Sequence, residues 1–274
     1  MTDVGNRGRV RALDAVTTRV RAPNPSPMTL TGTNTYLVGR PSGGPLVVVD
    51  PGPPMPSHRA AIDGTVGRRD GHVAAVVITH HHADHAGAVG WAAEWGVPAR
   101  AFDPARVPGT RPLDDQTAVD VDGVRMVAHH HPGHSSDHLC LQIPETGAVL
   151  TGDHVLGEGT TVIAWPDGEL ASYLASLRAL RRLRPSALYP GHGDVVTDPV
   201  GRIDALLAHR AQRTQQIVEA LGAGCDTVDA IVSQVYGDLP DTVRRAAARS
   251  VTAHLADLER HGRAARSQGR WRGV

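Results

Sequence analysis

A mixed α/β or α+β fold followed by a helical tail is what this sequence predicts. Three observations carry that reading. Short apolar runs rich in Val, Leu and Ile alternate with Ala-rich helical stretches as far as about residue 200. Beyond Pro199 the strand signal almost vanishes. Several of the strand-like runs end abruptly in clusters of His, Asp, Gly and Pro, the kind of loop on which sites are built.

In order along the chain, Val10–Val20, Thr33–Gly39 and Pro45–Asp50 read as early strands between Pro- and Gly-rich turns. Ser57–Gly67 is a candidate helix and Val73–Ile78 a buried strand. Asp84–Trp95, rich in Ala and ended by Gly96, reads as one helix. Ala118–Ala128 alternates apolar and polar residues around Asp122-Gly123, a hairpin signal. Leu139–Ile143 and Ala148–Leu150 are strands, Leu170–Leu183 has helical spacing, and Ala187–Tyr189 is a further strand. In the tail, Ile203–Leu221, Val228–Tyr236 and Val243–His261 look helical. Arg263–Arg272 alternates around the turn residues Ser267-Gln268-Gly269. Three helices and a terminal hairpin outline a winged helix, so the domains are expected at 1–200 and 201–274.

Composition narrows the class. Hydrophobic residues make up 41% of the 274, enough for a real core, and with only nine aromatics that core must be mostly aliphatic. A formal net charge of zero argues against a wholly nucleic-acid-coated or membrane-bound protein. Two cysteines give no disulfide framework, which fits a reducing compartment. Residues 1–14 hold no apolar stretch and read as no signal peptide, and no membrane span is visible, so a cytoplasmic location is expected.

The chemistry lies in the histidines, of which there are 16. His80, His82, Asp84 and His85 place four potential metal ligands in six residues, directly after the run Val73–Ile78. In an extended or turning segment His80 and His82 point one way and His81 the other, while Asp84 and His85 reach a second position. Imidazole and carboxylate without thiolate favour Zn, Fe or Mn. Two ions about 3.5–4 Å apart can share a hydroxide and clamp both attacking and leaving oxygens. His58, His72, His209, His254 and His261 stand alone and read as solvated or core residues, and His129 and His130 are given no role.

Four motifs in this order, His80-x-His82-x-Asp84-His85, Pro132-Gly-His134, Thr151-Gly-Asp153 and Pro190-Gly-His192, resemble the metal motifs of the metallo-β-lactamase fold superfamily over about residues 10–200. The resemblance implies an α+β fold, a four-layer αββα sandwich followed by the winged-helix-like tail. It implies His80, His82 and His134 as ligands of a first metal, Asp84, His85 and His192 of a second, and Asp153 as the bridging carboxylate. Asp50, at the end of Val47-Val-Val-Asp50, matches a residue that orients a ligand His, and equally reads as a turn cap. Asp at 153 is similar to the glyoxalase II and RNase Z types. The 38 residues between Asp153 and His192 leave no room for a large inserted nuclease domain.

Within the superfamily the chain is most similar to the β-lactamase-like protein 2 group, through Asn24–Leu37, Gly152–Leu156 and Ala246–Leu255. This implies a dinuclear-zinc-dependent hydrolase, two ions per chain with Fe or Mn as alternatives. A metal-bridging hydroxide would attack an ester, thioester or phosphodiester, with Asp84 and Asp153 as the catalytic carboxylates and Asp84 orienting the nucleophile or relaying its proton. One alternative is a single-strand endoribonuclease whose winged-helix-like tail aids RNA binding. In that reading Trp271 and the arginines of the hairpin, in a tail with 11 Arg against 8 Asp plus Glu, contact the strand. Another is a mono-iron persulfide dioxygenase of the same fold. The partner is accordingly a small-molecule ester or thioester, or single-stranded RNA, with no membrane and an open oligomeric state. Thr31–Tyr36 with Asn34, Trp165 and His154 are candidates to line the pocket or support the ligands, whereas Trp91 and Trp95 read as core.

Overall fold

The computed structural model describes residues 9–41 and 43–274. The leader-free reading of the N-terminus lies outside the described residues for residues 1–8. The described chain falls into two compact units. The first takes the chain as far as His130, then Asp137–Gly159 and Arg184–Pro199; the second takes His131–Ser136, Thr160–Leu183 and the tail from Val200.

The first unit contains two sheets. One has seven strands in sequence order: β1 (Val10–Ala12), β2 (Thr17–Arg21), β3 (Asn34–Val38), β4 (Gly44–Val49), β5 (Gly71–Val77), β6 (Ala99–Ala101) and β7 (Arg111–Pro112). Strands β1 to β4 pair antiparallel and β4 to β7 parallel. The other has five strands, β8 (Ala118–Val121), β9 (Val124–His130), β10 (Leu139–Ile143), β11 (Ala148–Gly152) and β12 (Leu188–Pro190), with β11 and β12 parallel.

Alternation along each strand decides what fills the layers. Val47 and Val49 of β4, with Ala75 and Val77 of β5, face the other sheet and meet Met126, Ala128, Leu139, Leu141 and Leu150 in one core. Leu46, Val48, Val76 and Ile78 point the other way, onto Ile62 and Val66 of helix α1 (Pro56–Gly67). Strands buried on both faces read in sequence as unbroken apolar runs, as these two do. Truncating a fully buried Leu46 or Leu141 to Ala would cost about 2–5 kcal/mol.

Two expectations are corrected here. Val10–Val20 is not one strand but β1 and β2, with Asp14 Oδ1 accepting the N–H groups of Val16 and Thr17 in the turn between them. Asp84–Trp95 is not one helix but two single turns, α2 (Ala83–Ala86) and α3 (Trp91–Glu94). The ladder breaks because the Ala88 N–H donates to the Gly52 carbonyl instead of to its own helix. Trp91 and Trp95 pack on the helix-side core, with the Arg59 guanidinium 4.3 Å from the Trp95 ring. The Asp122-Gly123 turn has both residues at positive φ, 51° and 74°, as a tight hairpin with native twist requires.

The second unit holds α4 (Leu170–Arg182), α5 (Pro199–Gly222), α6 (Val228–Tyr236), α7 (Asp241–Arg260) and the hairpin β13 (Ala264–Ser267) with β14 (Arg270–Gly273). The Thr227 hydroxyl caps α6 by accepting the Ala230 N–H. Ile217, Leu221, Ile231, Val251, Leu255 and Leu258 make the core, and Trp271 belongs to it at 6% exposure. The expectation that Trp271 offers a ring to a single strand is therefore corrected: its face is spent on the core. Arg270 is likewise paired, with Asp226 at 2.5 Å. No helix among the described residues is long and apolar enough to cross a membrane.

Candidate metal centre

The C-terminal ends of β4, β5, β11 and β12 deliver Asp50, Thr79 to His85, Asp153 and His192 respectively. Parallel pairing of β4 with β5, and of β11 with β12, puts these loops at one edge of the sandwich.

His85 is fully buried and fixed from both sides. Its Nδ1 lies 2.8 Å from Asp50 Oδ2, which can only accept, so Nδ1 carries the proton and Nε2 is left as the atom able to ligate a metal. That Nε2 is 3.2 Å from His192 Nε2, 3.3 Å from Asp153 Oδ1 and 3.6 Å from Asp84 Oδ2. His192 Nε2 is in turn 3.1 Å from Asp84 and 3.3 Å from Asp153. The ligand atoms of Asp84, His85 and His192 lie within 4.8 Å of one another, as do those of His80, His85 and Asp153. His82 Nδ1 is 3.0 Å from His80 Nε2. The structure thus brings six of the seven expected ligands together at one sheet edge. His134 is fixed in the second unit, with Nδ1 2.8 Å from the Val162 carbonyl, which leaves its Nε2 as the lone-pair nitrogen.

The electrostatics favour a cation. Burial works against charge on His85 and His192. Even so, Asp153, Asp84 and Asp50 lift His85 well above the ordinary imidazole value, and Asp153 with Asp84 lifts His192 to about 9. Burial would raise Asp84, but His85 and His192 hold it down at about 2. Asp153 is held well below the carboxylate range by His192 and His85, against its own burial. Buried carboxylates that pull positive charge onto imidazoles can take a divalent cation in its place, with release of the protons. Two Nε2 atoms 3.2 Å apart, one of them with its Nδ1 already committed to Asp50, are a donor set for a metal rather than for each other.

Asp50 bonds both to the turn and to an imidazole. Its Oδ1 accepts the Thr79 N–H at 2.7 Å, which fixes the turn after β5, while Oδ2 accepts both the Thr79 hydroxyl and His85. The Thr79 oxygen lies 3.0 Å from His80 Nδ1, so one carboxylate aligns two imidazoles. Asn34 is fully buried; its amide donates to the Pro190 and Gly193 carbonyls and its oxygen accepts from Arg21. It ties the His192 loop to β3, with Tyr36 Oη adding a bond to the Pro190 carbonyl. His154 is fully buried, 5.8 Å from the His138 ring. His81 turns away from His80, to Asp137 at 2.9 Å and Arg106 at 3.1 Å.

Sequence reasoning missed His138, Thr79 and two glycines. His138 Nε2 accepts the Asp153 N–H at 3.1 Å and so fixes the backbone that carries Asp153. A Cβ on Gly152 would stand 2.7 Å from His138 Nε2, and one on Gly191 would stand 2.6 Å from both Asp153 Oδ1 and His85 Cε1. A histidine within a His-rich run, and Gly directly before His134, Asp153 and His192, were the available signals.

Comparison with known proteins agrees with this geometry. Residues 28–192 match the metallo-β-lactamase superfamily and 227–271 the β-lactamase associated winged helix domain. The chain belongs to the metallo-β-lactamase superfamily and is a metal-dependent hydrolase of the branch that carries this winged helix. It is 32% identical to a β-lactamase-like protein 2 homolog of Caenorhabditis elegans, over 92% of this chain and 87% of the relative. It is 33% identical to an atrochrysone carboxyl ACP thioesterase of Aspergillus chevalieri, over 84% of this chain and 76% of the relative. The crystal structure of a metallo-β-lactamase family protein from Thermus thermophilus shares the fold, with a TM-score of 0.80 and 23% identity over 96% of this chain and all of the other.

Proposed function

We propose that this chain is a dinuclear zinc hydrolase acting on thioesters and related carboxylic esters, with residues 1–200 carrying the chemistry and 201–274 as its accessory domain. His80, His82 and His134 are read as ligands of the first ion, Asp84, His85 and His192 of the second, with Asp153 shared. The observation that carries the two-ion reading is the grouping of Asp84, His85 and His192 around Asp153. A mono-iron dioxygenase would leave that second set without a role. Bound there, the ions supply Lewis acidity and a water ionised near neutral pH.

The chain's own residues hold and aim. Asp50 sets the tautomer of His85 and, through Thr79, the angle of His80. Asp84, with 30% of its side chain exposed among otherwise buried groups, is read as orienting the attacking water. A carbonyl substrate is favoured over a phosphodiester for two reasons. Relatives 33–34% identical over four fifths of this chain are named thioesterases. The tail's ring and one of its arginines are already committed within the protein, Trp271 to the core and Arg270 to Asp226.

The test is a turnover screen of the zinc-loaded protein on an acyl-pantetheine thioester, a lactone, a β-lactam and single-stranded RNA. Thioester cleavage is expected. Asp153→Asn should lower it at least about 1,000-fold and reduce bound zinc, because removing a shared ligand loosens both ions. RNA cleavage with no thioester turnover would overturn the assignment.

A further inference from the structure

The second unit contains a buried cation that the chemistry above does not use. Arg210, in the middle of α5, is 2% exposed, and its Nε has no hydrogen-bond partner. A desolvated guanidinium is costly to keep unless its hydrogen bonds and close contacts compensate it. Its terminal nitrogen donates to the Thr161 carbonyl at 2.6 Å, and the guanidinium lies over the Tyr173 ring at 5.2 Å. Both contacts lead to His134. The Thr161 hydroxyl is 2.8 Å from His134 Nδ1, and the next carbonyl, Val162, takes the Nδ1 proton. Tyr173 is the residue against which the His134 loop is pressed: a Cβ on Gly133 would come within 2.3 Å of the Tyr173 Cα.

A second tether reaches the same segment from α7, where the Ser250 hydroxyl accepts the Ile163 N–H at 3.4 Å. The loop itself is clamped on α4. The Glu169 N–H donates to the Gly133 carbonyl and the Ser176 hydroxyl to the Pro132 carbonyl. The Thr161–Ile163 strip is therefore held by two helices of the C-terminal tail, and that strip contacts Nδ1 of the His134 ring, which fixes its tautomer.

We infer that Arg210, seconded by Ser250, is a positioning residue for His134, so that the C-terminal tail is a structural part of the first metal site. This rests on the reading of His134 as a ligand. It assigns the tail a role that binding of a substrate would not require.

The test uses the full chain with Arg210→Met, Arg210→Lys, Ser250→Ala and Arg213→Met. The last is the control, since Arg213 lies over Tyr236 at 4.0 Å and bonds to Gln216 and Val235, all within the tail. Two readouts are taken: zinc affinity and stoichiometry by chelator competition, and the tautomer of His134 from its ring nitrogen resonances in the metal-free protein, assigned by their loss in His134→Gln. Arg210→Met is expected to weaken one of two zinc sites at least about 10-fold and to turn a single Nδ1–H tautomer into a mixture, with Arg210→Lys restoring most of both. Arg213→Met should change neither, even where its melting temperature falls as far. Wild-type tautomer and zinc affinity in Arg210→Met, or equal losses in Arg213→Met, would overturn the inference. Should Arg210→Met not fold, Ser250→Ala carries the same two expectations in milder form. If the wild type binds no zinc, the metal reading fails separately and the His134 resonances still decide the positioning.

Discussion

Asp50 shows how much one side chain can fix. It ends β4 at a φ of +50°, a conformation that a non-glycine residue adopts only when its surroundings enforce it. From there it accepts three hydrogen bonds and aligns both His80 and His85. Replacing it by Asn substitutes a donor for one acceptor oxygen and frees His85 to take the other tautomer. Asp50→Asn should lose about 10–100-fold in zinc affinity while keeping its fold. A competition titration showing wild-type affinity would refute this role. The proposed ligands were legible as a group because chelation within one turn demands short, fixed spacings. The choice between the two roles of Asp50 was not legible, since neither the Thr79 N–H nor the ring of His85 can be located without coordinates. His138 escaped for a related reason: its partner is a backbone N–H, which no side-chain pattern records.

At the level of elements, the long strands were readable and the short ones were not. β3, β4 and β5 announce themselves through burial on both faces, whereas β6 and β7, of three and two residues, carry too few side chains to show a period. The helix expected over Asp84–Trp95 failed because local Ala content was outweighed by one tertiary bond, from Ala88 to Gly52. The crossing of the β11 and β12 loops depends on absent side chains, and this can be measured. Gly191→Ala would drive a methyl group into Asp153 and His85, so kcat/KM should fall at least about 100-fold with only a modest change in melting temperature. A variant of near-normal activity would show that the loops can separate without harm.

Across the whole molecule, the two units have separate cores, and the second carries a pH liability of its own. In the second, His254 is fully buried on α7 against Thr214. Burial, aided by Arg210, Arg213 and His209, lowers its pKa from 6.5 to about 3. The unfolded chain therefore takes up the proton first. The stability this neutral imidazole contributes is complete above pH 6.5 and is lost as pH falls towards 3, amounting to roughly 2 kcal/mol by pH 5. Melting curves of the wild type should drop more steeply between pH 7 and pH 5 than those of His254→Leu; parallel slopes would exclude the effect.

The threading of the second unit has a consequence for how the protein is made. That unit gathers His131–Ser136, Thr160–Leu183 and everything from Val200 onward. A ribosome that has translated as far as Pro199 has already polymerised every proposed ligand, yet Arg210 and Ser250 do not exist. On the inference above, the nascent chain at that stage lacks the two tethers that hold the strip beside His134. On the proposed role of Arg210, the first metal site reaches its full affinity only with the last quarter of synthesis, and a chain released at Pro199 is expected to hold that ion more weakly.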